Sequence, residues 1–66
     1  MQLQVNGERV QRAAECTVAE LLEELGCEPR RVAVEVNGEL VPREQHDRVQ
    51  LRDADRIEIV SLVGGG

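Results

Sequence analysis

Apolar and polar residues alternate at the start of the chain, where Met1, Leu3 and Val5 are separated by Gln2 and Gln4. A period of two predicts a strand with one buried face. Asn6-Gly7 follows directly, and a two-residue type I′ turn needs positive φ at both positions, which Asn and Gly tolerate. Such a turn sets Val5 opposite Glu8, Gln4 opposite Arg9 and Leu3 opposite Val10. Val10 joins Leu3 on the buried face and the rest of the return strand is polar, so an edge strand running to about Arg12 is predicted. The period then lengthens. Val18, Leu21, Leu22 and Leu25 fall at i, i+3, i+4 and i+7, one face of a helix. Thr17 and Glu20 have the spacing of a capping box, and Cys16 and Leu21 that of a hydrophobic staple. Gly26 suits the left-handed position after a helix and Pro29 blocks its continuation. The predicted helix runs from about Val18 to Leu25.

Period two returns at Val32, Val34 and Val36, and Asn37-Gly38 turns the chain again. Val-Asn-Gly-Glu thus occurs twice, at Val5–Glu8 and Val36–Glu39, which reads as recurring turn chemistry. A short strand at Glu39–Val41 ends at Pro42, and Arg43 to Asp47 reads as an irregular or short helical connection. Val49 and Leu51 suggest a brief extended piece, and Asp53-Ala54-Asp55 a turn. Arg56 to Val63 is apolar on both sides, with Ile57 and Ile59 on one face and Val60 and Leu62 on the other. So few polar interruptions predict a central strand. The expected fold class is α+β: a mixed sheet of four to five strands with one helix packed across one face. The helix is expected to meet Met1, Leu3, Val34, Ile57 and Ile59.

Composition narrows the function. With 66 residues the chain makes one small domain, of a size that buries only about 60% of its unfolded surface. Its 19 Leu, Val and Ile residues fill the space between one sheet and one helix and leave no deep substrate cleft. The expectation is a carrier, adaptor or binding module, not an enzyme. Eight Arg, no Lys and 13 acidic residues give a net charge of -5. That balance disfavours nucleic acid, whose phosphates are held by Lys and Arg, and without aromatic residues no platform exists for stacking bases. It also disfavours anionic membranes and favours a basic protein partner. No apolar run approaches a membrane span and no signal-peptide layout opens the chain, so the expected compartment is the cytosol. Two Cys and one His do not make a metal set. Cys16 and Cys27 are expected to pack as small hydrophobes, and His46 to be a solvated loop residue.

Gly64-Gly65-Gly66 ends the sequence directly after the predicted central strand. The expectation is a domain over residues 1–63 with a flexible glycine tail at 64–66 that reaches at most about 10 Å. Free of side chains, such an arm can enter a channel too narrow for other residues. A C-terminal carboxylate has a pKa of about 3.5 and is ionised at neutral pH. It can attack the α-phosphate of ATP to form an acyl adenylate, which then accepts sulfur or an amine. The phosphate-loop pattern G-x-x-x-x-G-K-[ST] is absent from the sequence, so ATP binding falls to a partner.

With Val34-Glu35-Val36-Asn37, Val41-Pro42-Arg43-Glu44, Leu51 to Ile57 and the ending Ile59 to Gly66, the chain resembles the ThiS family, the ubiquitin-like sulfur carriers of thiamin biosynthesis. Length and element order match throughout. One departure is Ala54, where these proteins often have Gly; Ala predicts a turn without positive φ. The resemblance implies a ubiquitin-like β-grasp fold and a carrier with no cofactor of its own, monomeric when alone. It further implies that a ubiquitin-activating-like adenylyltransferase of the ThiF type would adenylate Gly66 with ATP, that sulfur from a persulfide donor would replace AMP to leave a thiocarboxylate, and that thiazole synthase of the ThiG type would take that sulfur, with Gly64 and Gly65 threading the partner's active site. Val60 and Leu62, facing away from the helix beside the tail, with Ala33 on the neighbouring strand, are expected to form a docking patch, and the resemblance supports this because ubiquitin-like proteins meet partners with this face. The alternatives are a related carrier for molybdopterin or cysteine synthesis, a modifier joined to amines through Gly66, and a passive β-grasp binding module.

Overall fold

The computed structural model describes residues 1–62. Five strands, β1 (Gln2–Val5), β2 (Glu8–Gln11), β3 (Val32–Val36), β4 (Glu39–Val41) and β5 (Arg56–Ser61), form one sheet in the order β2-β1-β5-β3-β4. The single α-helix among the described residues, α1 (Val18–Glu24), lies between β2 and β3 in sequence, and short 3-10 turns occupy Pro29–Arg31 and Arg43–Gln45. The last strand is central: β5 runs parallel to β1 and antiparallel to β3. Val63 and the glycines at 64–66, expected as the strand end and the tail, lie outside the described residues.

The first hairpin has the predicted register, Val5↔Glu8, Gln4↔Arg9 and Leu3↔Val10. Both turns have positive φ at their central pair, 50° and 83° at Asn6 and Gly7, 53° and 85° at Asn37 and Gly38. The repeated tetrapeptide has a second cause besides turn geometry. Asn6 Oδ1 accepts the Ile59 N–H at 2.7 Å, and its Nδ2 donates to the Ile59 carbonyl at 3.1 Å. Asn37 Oδ1 accepts the Arg56 N–H at 3.0 Å, and its Nδ2 donates to the Asp55 carboxylate at 2.9 Å. Each asparagine therefore makes its turn and ties it to the region of β5, which Gly alone cannot do.

Helix α1 starts as expected. The Thr17 hydroxyl accepts the Glu20 N–H at 3.2 Å, and Glu20 accepts the Thr17 N–H at 2.8 Å. Its end is a Schellman pair: Gly26 N–H donates to the Glu23 carbonyl and Cys27 N–H to the Leu22 carbonyl. Val18, Leu21 and Leu22 are buried with Leu3, Val5, Cys16, Val34, Leu51 and Ile57. Met1 and Ile59 pack partly buried against this core. Leu25 does not follow its periodicity. It is the C-cap residue and 44% exposed, because the chain leaves the helix axis at Gly26 before the next turn reaches the sheet.

Three further expectations are corrected. Ala54 has φ 72°, in the left-handed region. The turn is held from both sides: Ala54 N–H donates to the Gln2 carbonyl at 2.7 Å, Asp53 accepts the Gln2 N–H at 2.7 Å, and Asp55 accepts the Arg52 N–H at 2.8 Å. These bonds impose a conformation that costs an Ala roughly 1–2 kcal/mol. His46 is not solvated but 4% exposed. Its Nε2 lies 3.2 Å from the Val41 carbonyl, and its own carbonyl accepts the Ala19 N–H at 2.8 Å, so the ring closes the space between β4 and the helix start. The extended piece at Val49 and Leu51 amounts to one bridge, Thr17↔Gln50. Leu51 is nevertheless fully buried, drawn in by the bond from its N–H to the Cys16 carbonyl.

Candidate functional site

Alternation along β3, β4 and β5 sends every second side chain away from the helix. In β5 the helix side takes Ile57 and Ile59, and the outer side takes Glu58 and Val60. Val60 is 53% exposed and Leu62, just past the strand, 61% exposed. Ala33 is the direct cross-strand partner of Val60. The three residues named from the sequence are therefore brought to one surface. Leu62 is held there by its N–H, which donates to the Arg31 carbonyl at 2.7 Å.

Leu40 belongs to the same surface and was not anticipated. It is 65% exposed and stands opposite Glu35, on the outer side of the sheet. The signal was present: the Asn37-Gly38 turn pairs Val36 with Glu39, and the next pair is Glu35 with Leu40. A groove of about 310 Å³ runs beside this surface between Ala33, Leu40, Pro42, Arg43 and Leu62, with Pro29 and His46 also in its lining. Grouped exposed aliphatic side chains of this kind make the face a candidate interaction surface. Glu35 and Glu58 face the same way and are direct partners in the β3–β5 ladder.

The remaining candidates are structural. Cys16 is buried, and burial pushes its thiol above the ordinary range, against the opposing pull of Arg12. A neutral, enclosed thiol is a poor nucleophile. Cys27 is half-buried against the core. Arg12 pairs with Glu24 and ties the end of the first hairpin to α1; the bond to Glu24 raises its pKa further. Among the described residues no group of three or more His, Cys, Asp or Glu is placed to hold a metal ion, and no helix is long and apolar enough to cross a membrane. Gly64, Gly65 and Gly66 lie outside the described residues. The last described residue, Leu62, lies just past β5 on the exposed aliphatic surface.

A model of the ThiS family matches residues 3–66. The chain belongs to the ThiS family. Over 65 residues it is 42% identical to the sulfur carrier protein ThiS of Bacillus subtilis (strain 168), covering 97% of this chain and 98% of that protein. It also resembles a thiazole synthase of Paramagnetospirillum magneticum (strain ATCC 700264 / AMB-1), 47% identical over all of this chain but over only 20% of that protein. The chain thus spans about a fifth of the length of the thiazole synthases it matches. Among solved structures, the ThiS thiamine biosynthesis protein of Geobacter metallireducens superposes with a TM-score of 0.86 at 36% identity, covering 100% of both chains. The sheet order and single helix described above are therefore the ThiS ubiquitin-like β-grasp.

Proposed function

We propose that this ThiS-family chain is the sulfur carrier for the thiazole moiety of thiamin, with Gly66 as the carrying residue. The observation that carries the reading is the juxtaposition at the end of β5. Val60 and Leu62, at the end of the central strand, lie on the exposed aliphatic face, and Val63 and Gly64-Gly65-Gly66 follow them in the sequence. Gly66 is four positions beyond Leu62, so the carboxylate is at most about 14 Å from Leu62 along the chain. A partner that grips Val60, Leu62, Ala33 and Leu40 is thereby positioned to receive Gly66 in its active site.

The chemistry is that of an activated carboxylate. Gly66 attacks the α-phosphate of ATP within an adenylyltransferase of the ubiquitin-activating type, releasing pyrophosphate and leaving an acyl adenylate. The terminal sulfur of a persulfide displaces AMP to give an acyl disulfide, and a thiol then cleaves its S–S bond, leaving the thiocarboxylate on Gly66 and a disulfide between the thiol and the donor. ATP and its catalytic groups belong to the enzyme, and this chain acts as co-substrate. Thiazole synthase is the proposed acceptor. Its support is that two thiazole synthases hold, within one polypeptide, a segment similar to this whole chain. The work is assigned to the cytosol, where ATP is available.

Intact mass of the chain after incubation with the adenylyltransferase, ATP and a persulfide donor tests the reading. One oxygen replaced by sulfur at Gly66 is the expected product. A condensation product with a target amine would select the modifier reading. Deleting Gly66 leaves a carboxylate one residue short, about 3.5 Å from its proper place. A misplacement of about 1 Å can cost on the order of a hundredfold in rate, so ATP–pyrophosphate exchange and sulfur loading should both collapse. Loading of the shortened chain at the original rate would remove Gly66 from the mechanism.

A further inference from the structure

The outer face holds a feature that aliphatic docking leaves unexplained. Glu35 and Glu58 are direct cross-strand partners and both are exposed. Such partners have Cβ atoms about 4.5–5.5 Å apart, and like charges there repel. No cation relieves them: among the described residues the only ion pair joins Arg12 to Glu24. Arg56, two positions before Glu58 on the same side of β5, stands beside Gln4 instead. The carboxylates are bounded by aliphatic groups. Leu40 is the other neighbour of Glu35, and Ala33 with Val60 forms the next outward-facing pair.

We propose that Glu35 and Glu58 form the cation-receiving part of the docking face, taking one arginine of the adenylylating enzyme between them while its aliphatic surface covers Leu40, Ala33, Val60 and Leu62. Charge complementarity selects this occupant. A guanidinium offers five donors in a planar fork, enough to bond both carboxylates at once. Aliphatic neighbours exclude water around the ion pairs, which raises their strength and fixes the orientation of approach. A second copy of the chain is a poor occupant. Two such faces brought together would confront four carboxylates, and each chain already carries a net charge of -5.

The choice of enzyme rests on the carrier reading, and the experiment separates the two. Full-length wild type, Glu35→Gln, Glu58→Gln and the double variant are titrated into the enzyme by calorimetry at low and high salt. Each is also melted alone and exposed to ATP and persulfide. The double variant is expected to melt at or above the wild-type temperature and to bind at least tenfold more weakly at low salt. The gap should narrow at high salt, where charge is screened. Glu35→Asp and Glu58→Asp should retain most of the affinity. Equal affinity of wild type and double variant, or weaker binding accompanied by a lower melting temperature, overturns the proposal. Sedimentation of the free wild type as a dimer that the double variant abolishes overturns it in favour of a second copy. Wild type that gains sulfur while the double variant binds unchanged leaves the carrier reading standing without the proposal; wild type that never binds the enzyme removes both.

Discussion

The two sides of the sheet answer to different demands. On the helix side Leu3, Val34 and Ile57 are almost fully buried with Leu21, Leu22 and Leu51. On the other side Leu40, Val60 and Leu62 are more than half exposed. Both sides are aliphatic, so hydrophobicity alone does not distinguish the core from the exposed face. The difference is cover. One helix of seven residues and the segment carrying Leu51 shield only one face of a five-strand sheet. The fold is held by the covered face, and the aliphatic side chains of the uncovered one stay exposed.

Truncation on the covered face should have the largest effect. Leu22→Ala and Leu51→Ala each remove a fully buried side chain and should cost about 2–5 kcal/mol in urea denaturation. That is a large share of the roughly 5–15 kcal/mol that holds a typical domain together. Equal stability of Leu51→Ala and wild type would place Leu51 outside the core.

A smaller change of opposite sign is expected at Ala54. Glycine relieves the left-handed strain, so Ala54→Gly should stabilise by up to about 1 kcal/mol, less than the strain itself because Gly also loses more entropy on folding. A lower unfolding midpoint would mean that the turn does not hold Ala54 in that conformation.

Cys16 gives a comparable effect confined to alkaline pH. Burial raises its folded pKa above the ordinary 9.0. Below that value the thiol is protonated in both states and contributes no pH dependence. Above it the unfolded chain loses the proton first, so stability falls as pH rises, by up to about 1.4 kcal/mol per unit. The chain has no Lys and no Tyr, which leaves this range to thiols. Urea midpoints should drop between pH 9 and pH 10.5 in the wild type and drop less in Cys16→Val. Parallel curves would show that Cys16 is not the titrating group.

The smallest stability effects belong to the open face. Val60→Asp and Leu62→Asp should stay within about 0.5 kcal/mol of wild type, as exposed substitutions do. Their effect should appear in capture by the adenylylating enzyme, because an unpaired charge in a contact is costly. A melting curve that falls with either substitution would make this face part of the core and end the comparison.

Features that depend on residues close in sequence were legible. The two Asn-Gly turns, the Thr17–Glu20 box and the Gly26 stop each involve groups a few positions apart, whose geometry is set by local sterics and one or two hydrogen bonds. Most of the exposed aliphatic face was legible for the same reason, since alternation in β5 puts Val60 and Leu62 opposite Ile57 and Ile59. His46 was misread because its neighbours in sequence are polar, whereas its burial comes from β4 and the start of α1. Leu25 was misread because a helical stripe states which residues share a face, not how far the sheet beneath it extends.

Sequence by itself determined the two hairpin turns and the helix, through contacts at short chain separation. Only the tertiary structure decided what β5 does when it enters between β1 and β3. That insertion sets Glu58 beside Glu35 and Val60 beside Ala33. It also places both asparagine side chains within reach of the backbone on and beside the final strand. The turn leading into that strand carries Ala54, bonded to β1 in a left-handed conformation that no short-range preference favours. These outcomes depend on which strands become neighbours, and that is settled by burying the apolar faces of the whole sheet at once rather than by any one segment.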